Sequence, residues 1–235
     1  MGSQSQPEIT LYTNHKCPFA HRAHIALAEL GLPFKEELID LDVPRSPEYL
    51  KINPRGLVPT IIYNGETITE SAIVAQFLVD AHPSALLPAS SAPNGPLTRA
   101  RINFFTDAFS NKVQSHLLKA VYVSKSQEEV DKAVDDAVAG IVKEVEPLLE
   151  DAAPYFGGSD KLTFAEVITA SFVIRTFSQS KHGVLPTSLI SRLESETPNF
   201  YKWAQAVIKN PSVTGIYDEE AFIEATKKRV AQLRG

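Results

Sequence analysis

Cys17 is the one cysteine in 235 residues. It stands in Lys16-Cys17-Pro18-Phe19-Ala20-His21-Arg22, where an apolar strand gives way to an amphipathic helix. A thiol at that junction faces the unsatisfied N–H groups and the positive dipole end of the helix, which favour the nucleophilic thiolate. Lys16 and Arg22 add positive charge nearby, and Pro18 suits the first helical position because it has no N–H to leave unpaired. A solitary cysteine is otherwise used as a small buried hydrophobe; here its position points to nucleophilic chemistry. A second thiol is missing. Ala20 stands where a dithiol oxidoreductase carries its resolving cysteine, so any mixed disulfide on Cys17 must be released by a thiol from outside. One cysteine and scattered histidines give no ligand pairs at metal spacing, so no metal is expected.

The elements that position Cys17 read clearly in the first third of the chain. Ile9 to Thr13 has strand character, and Pro18 to Leu30 places Phe19, Ala23, Ala26, Leu27 and Leu30 on one helical face before Gly31 and Pro33 stop it. Phe34 to Ile39 forms a second strand, Pro47 to Lys51 a helical turn, and Thr60 to Tyr63 a strand joined through Asn64-Gly65 to a strand at Glu66 to Ile68. A helix from Ser71 to Ala81 closes a β-α-β-β-β-α unit of thioredoxin-like order, with a mixed sheet. After it, residues 88–96 are rich in Pro, Ser, Ala and Gly and read as a linker. The expected organisation is a unit over residues 7–87 followed by an all-helical unit over 97–235.

The second unit shows helices over Arg99–Val123 and Glu128–Leu149, which two-in-a-row length makes an antiparallel pair. Leu162-Thr163-Phe164-Ala165-Glu166-Val167 is a capping box with a hydrophobic staple and opens a central helix, apolar nearly all round, to Phe177. Shorter helices follow at Pro198–Ile208 and Asp218–Leu233, and Trp203 belongs to the core. Composition bounds the rest. A net charge of −5, a pI near 5.7 and 43% apolar residues describe an ordinary acidic globular chain without the basic stripe a nucleic-acid partner needs. No apolar run reaches a membrane span, and the polar start lacks a signal-peptide core, so the cytoplasm is the expected compartment. Gly2 hints at myristoylation, but Gln6 stands where that motif has Ser or Thr.

Taken together, Cys-Pro-Phe-Ala-x-Arg at Cys17, Asn53-Pro54-x-Gly56-x-Val58-Pro59, and Glu70-Ser71, in this order and architecture, resemble the cytosolic glutathione transferases. The cysteine motif resembles the omega class and its fungal and plant relatives. The resemblance implies glutathione as co-substrate and as the external thiol. It implies a cis Val58-Pro59 bond that presents the Val58 backbone to the cysteinyl unit of glutathione. Glu70 and Ser71 then take the ammonium and carboxylate of the γ-glutamyl group, although a plain helix cap is their other use. Arg45 is assigned the glycyl carboxylate, with Lys51 in reserve, and Phe19 covers the thiol side. An unpaired guanidinium on an apolar helix is expensive, so Arg175 either meets a carboxylate or faces a cleft; the omega class has an arginine there, lining the second-substrate pocket. Phe109, His116 and Phe172 are assigned to the same pocket.

The activity so implied is that of a homodimeric, glutathione-dependent thiol transferase and reductase. Cys17 would form the mixed disulfide, and a small electrophilic or disulfide acceptor such as dehydroascorbate or a phenacyl-glutathione would be the partner. Two alternatives stand beside it: a conjugating or ether-cleaving transferase of secondary metabolism with Cys17 as bystander, and a non-catalytic binding module. Tyr12, near Cys17 in sequence, belongs by alternation to its strand.

Overall fold

The computed structural model describes residues 6–235, so the start at Met1–Ser5, on which the myristoylation reading falls, lies outside the described residues. The chain begins with strand β1 (Ile9–Thr13), helix α1 (Pro18–Leu30) and strand β2 (Lys35–Leu38). Then come helix α2 (Pro47–Ile52), strands β3 (Thr60–Tyr63) and β4 (Glu66–Thr69), and helix α3 (Ser71–Ala81). The sheet order is β2-β1-β3-β4. β1 and β2 are parallel and the other two pairs antiparallel, which is the mixed sheet expected. Tyr63 pairs with Glu66 across Asn64 and Gly65, both at positive φ, as a two-residue hairpin turn requires. Gly31, at φ 62, ends α1 with bonds back to its last turn.

After α3 every regular element is a helix. Helix α4 (Gly95–Phe109) runs through a π turn at Ser110–Gln114 into α5 (Ser115–Tyr122), and α6 (Gln127–Gly140) runs through another at Ile141–Val145 into a 3₁₀ turn at Glu146–Leu149. These are the two long helices expected. α6 packs on α5 while the π turn beyond it returns to α4, so the pair is antiparallel. A Cβ on Gly140 would stand 2.1 Å from the Lys112 carbonyl oxygen, so the two backbones meet there only because residue 140 is glycine.

Helix α7 (Phe164–Lys181) is the axis of this half, and α8 (Leu189–Glu196), α9 (Pro198–Val207), α10 (Pro211–Thr214) and α11 (Glu219–Arg234) wrap it. The capping box is present. Thr163 Oγ1 accepts from the Ala165 N–H at 3.2 Å, Glu166 Oε2 from the Thr163 N–H at 2.7 Å, and the staple residues Leu162 and Val167 are both buried. α8 and α10 carry no helix in the sequence reading; α10 is a single turn, and Pro186 and Thr197 bracket α8 closely.

One hydrophobic core joins the sheet unit to the helical unit, running from Ile9 and Leu11 through α1 and α3 to Trp203 and Ile223. α1 packs against α3 on one side and α7 on the other. Cys17 therefore sits at the N-terminus of the helix that both units share. Among the described residues no helix is long and apolar enough to cross a membrane.

Candidate active site

Cys17 is the N-cap residue of α1, half-buried, at φ −79° and ψ 118°. Its N–H donates to the Asn14 carbonyl at 3.0 Å and its carbonyl accepts from the His21 N–H at 3.1 Å, so its backbone is fixed on both sides. The thiol belongs to a small apolar cluster with Ala20, Tyr49 and Val58, and Tyr12 lies against the same group. Val58 and Cys17 are thus brought together across the sheet end. The Val58-Pro59 bond is cis, and neither the N–H nor the C=O of Val58 has a partner among the described residues. An extended peptide can pair with that edge.

Two buried guanidiniums flank Cys17, and among the described residues neither meets a carboxylate. Arg22, on the first turns of α1, donates from Nε to the Ile168 carbonyl at 2.7 Å, from one terminal nitrogen to Ser71 Oγ at 3.1 Å, and from the other to Gln114 Oε1 at 3.2 Å. It lies over the rings of Phe19 and Phe172, 5.4 and 4.9 Å from their centroids, and those rings meet edge to face at 5.1 Å. Burial lowers its pKa to about 10, opposed by the charge of Cys17. It stays a cation at neutral pH.

Arg175, on α7, donates to the Ser171 carbonyl and to His21 Nδ1 at 2.9 Å each and to the His15 carbonyl at 3.0 Å, while its Nε has no partner. Its guanidinium carbon lies 5.0 Å from the centroids of both Tyr217 and Phe222. Burial again brings the pKa to about 10, with Tyr217 and then Cys17 opposing. Burial and the neighbouring Arg175 hold His21 neutral, so its Nδ1 can accept the hydrogen bond that the arginine donates. Arg175 has no carboxylate partner among the described residues and, with Pro18, Gln114, Phe172, Gln179 and Phe222, lines a narrow cavity beside the start of α1.

Ser71 and Glu70 occupy the N-terminus of α3. Glu70 is the N-cap at φ 69°, a left-handed backbone that a residue with a Cβ takes only at a cost. Its carboxylate pairs with the Arg55 guanidinium at the surface. Ser71 Oγ accepts from Arg22, which leaves its own hydroxyl proton free to be donated elsewhere.

Three assignments need correction. Arg45 does not present a free cation: its guanidinium donates to the carbonyls of Gly56 at 3.0 Å, Asp40 at 2.6 Å and Leu41 at 3.3 Å, and also to that of Val43. It clasps the loop before α2, because loop carbonyls without strand partners need donors. Phe109 is fully buried and lines a separate apolar cavity within the helical bundle, with Val113, Ile141 and Val173. His116 does not line the Arg175 cavity; Gln114, Leu117, Leu118 and Val121 present the other face of that helix to it. Sequence spacing offers no metal ligand pairs, but the fold brings together His15, His24 and Glu36, whose ligand atoms lie within 4.8 Å of one another. Lys51 is exposed and without a carboxylate partner among the described residues. Arg22 enters the sequence reading as a nearby charge and as the arginine of the Cys17 motif; its role in joining Ser71 to α7 has no local signal.

The fold and this arrangement define a thioredoxin-like unit with a cysteine at its first helix, followed by a helical unit that closes over it. A family model described as glutathione S-transferase, N-terminal domain, matches residues 16–81. The chain is 30% identical to glutathione S-transferase U19 of Arabidopsis thaliana over 209 residues, covering 88% of each protein. Among solved structures it is similar to glutathione transferase Omega 1C from Trametes versicolor (26% identity, TM-score 0.80, 97% of this chain and 98% of that one). It is likewise similar to rice GST1 in complex with glutathione (25% identity, TM-score 0.82, 97% and 99%). The chain belongs to the glutathione S-transferase family.

Proposed function

We propose that the protein is a glutathione-dependent thiol transferase and reductase of omega type, with Cys17 as its nucleophile. The observation that carries this reading is the setting of Cys17: it stands at the N-cap of α1, packs against the apolar cluster that includes Val58, whose backbone is unpaired among the described residues, and lies near two buried arginines. Such a setting suits an anionic, peptide-like ligand beside the sulfur. Relatives divide between omega proteins and numbered plant transferases, so the class rests on Cys17 and its motif.

Glutathione lies along Val58 and Pro59, with its γ-glutamyl carboxylate on the Ser71 hydroxyl and the α3 N-terminus, its ammonium on Glu70, and Phe19 beside the sulfur. Lys51 replaces Arg45 as the cation for the glycyl carboxylate. The Cys17 thiolate attacks the glutathionyl sulfur of a mixed disulfide; the new sulfur–sulfur bond forms as the old one breaks, and the acceptor leaves as a thiolate that takes a solvent proton. A second glutathione thiolate then attacks that glutathionyl sulfur, leaves as oxidised glutathione and returns the Cys17 thiolate. Attack on the sulfur of a phenacyl-glutathione begins the same cycle, with a carbanion as leaving group. Arg175 and Phe172, in the adjoining cavity, receive the acceptor. The cytosol, where reduced glutathione is abundant, is the compartment such turnover needs. Exposed Ile73 on α3 and Leu97 and Phe104 on α4, elements tied by the Arg99–Asp80 ion pair at 2.9 Å, are the apolar surface for a homodimer.

The test is Cys17→Ser. Incubated with oxidised glutathione, the wild type should gain one glutathionyl group by intact mass, reversed by reduced glutathione, and the variant should gain none. The variant should lose disulfide-reducing turnover while still binding glutathione. Full turnover in a folded Cys17→Ser protein would remove the thiol-transferase mechanism, and activity restricted to haloaromatic conjugation would favour the conjugating alternative.

A further inference from the structure

Beyond the Cys17 site, the strongest grouping of chemistry-bearing side chains is His15, His24 and Glu36. The three come from different elements: the loop between β1 and α1, the buried face of α1, and β2. Glu36 Oε1 lies 2.7 Å from His15 Nε2 and 3.5 Å from His24 Nε2. Donor atoms that each sit about 2.0–2.2 Å from a Zn²⁺ ion stand roughly 3–3.5 Å from one another. The two gaps to Glu36 bracket that range, and with all three donors within 4.8 Å of one another, rotation of the part-exposed His15 and Glu36 side chains toward the buried His24 closes the remaining gap.

The surroundings hold the donors in place. The edge of Phe34 meets the His24 ring at 5.7 Å and 72°. The loop carrying His15 is pinned at three points: its carbonyl accepts from Arg175 at 3.0 Å, Asn14 Nδ2 donates to the Ile39 carbonyl at 2.9 Å, and Asn14 Oδ1 accepts from the Lys16 N–H at 3.0 Å. Thr13 Oγ1 lies 2.9 Å from His24 Nε2, the nitrogen that faces the ion, so this hydrogen bond gives way when metal binds. His24 forms a buried floor, and His15 and Glu36 form a part-exposed rim through which an ion can enter and keep water on its open positions.

Two imidazoles and one carboxylate suit a borderline divalent ion, whereas calcium or magnesium would call for oxygen donors throughout. We propose that His15, His24 and Glu36 form a Zn²⁺ site separate from the thiol chemistry of Cys17. The test is calorimetric titration of the full-length protein with Zn²⁺ in a buffer free of thiols and chelators, repeated on three variants. Wild type and Cys17→Ser should each bind one equivalent with the same affinity. His15→Ala and Glu36→Gln, both changes at part-exposed positions, should weaken binding at least about tenfold, the loss that removal of even an outer-shell partner typically brings. A Co²⁺-loaded sample should show visible ligand-field bands without a thiolate charge-transfer band. The proposal is overturned if the wild type binds no Zn²⁺, if both rim variants bind as the wild type does, or if Cys17→Ser abolishes binding.

Discussion

Helix α7 carries two buried charges, and they are treated in opposite ways. At its first turn Glu166 is fully buried, yet its two oxygens accept four hydrogen bonds: Phe156 N–H at 2.8 Å, Trp203 Nε1–H at 2.7 Å, and the Thr163 N–H and hydroxyl at 2.7 Å each. Burial raises its pKa while these donors pull it down. Further along, Arg175 is equally buried, but no carboxylate answers it, one of its nitrogens has no partner, and it borders a cavity. Burial alone therefore does not mark function. A charge whose every lone pair is met from nearby elements is an architectural joint, whereas a charge left uncompensated beside a cavity is set up for something that arrives from outside.

That contrast is broken most severely at Glu166. Glu166→Ala strands the Trp203 N–H and two backbone N–H groups in a dry core, and the expected loss is about 3–5 kcal/mol of unfolding free energy. Urea denaturation measures it. At temperatures where the variant remains folded, glutathionylation of Cys17 should proceed as in the wild type, since the joint does not touch the thiol. A variant of wild-type stability would show that the four bonds do not hold α7 to α9.

The next effect lies on the uncompensated side, where Arg22 donates to Ser71. Ser71→Ala and Arg22→Met should each weaken glutathione binding by about 1.5–3 kcal/mol, the size of a charge-assisted hydrogen bond, with Glu70→Ala in the same range. If Arg22 acts by turning the Ser71 proton outward, the two changes together should cost clearly less than their sum in calorimetric titration. Strict additivity would mean that Arg22 reaches the ligand by another route, such as the Phe19 and Phe172 rings.

What the sequence made legible was local. A helix start at Cys17-Pro18, the Asn64-Gly65 hairpin, the Thr163 to Glu166 capping box and the Glu70-Ser71 helix start each need only a few adjacent residues to be recognised. The Arg22 network joins positions 22, 71, 114 and 168, and the His15, His24 and Glu36 cluster spans a loop, a helix and a strand; no periodicity carries such contacts. Arg45 was misplaced for a related reason. A loop arginine facing solvent and one facing its own loop's carbonyls look alike in sequence, and only the path of residues 40–43 separates them. Phe109 and His116 lie on the long helix near the correct cavity, but the π turn at Ser110–Gln114 changes which face each side chain meets.

Arg175→Met tests the uncompensated charge itself. Methionine keeps most of the volume, and removal of a cation that had no carboxylate offsets the loss of its bonds, so unfolding free energy should fall by no more than about 1 kcal/mol. Acceptor kcat/KM should fall about tenfold, roughly 1.4 kcal/mol, with glutathione affinity near that of the wild type. A variant that melts far lower with unchanged kinetics would move Arg175 to the architectural side of the comparison.

The smallest effect belongs to the far end of α7, where charges are both exposed and paired. Glu219 on α11 accepts from Lys181 Nζ at 2.8 Å and from His182 Nε2 at 2.7 Å, and its carboxyl is held below its usual 4.5 by Lys181 first and His182 after it. A depressed folded-state pKa contributes stability that is fully present above the unfolded carboxylate range and drains away as pH falls through the folded value. With all three side chains part-exposed, solvent screens the pairs, and Glu219→Gln should cost less than about 1 kcal/mol at neutral pH. Wild type and variant should converge in urea stability only once the pH has fallen through the lowered folded-state value, and 1 M salt should close the gap at neutral pH as well. A gap that persisted in acid and in salt would mean that Glu219 holds α11 to α7 by geometry and not by charge, as Glu166 does at the other end of the same helix.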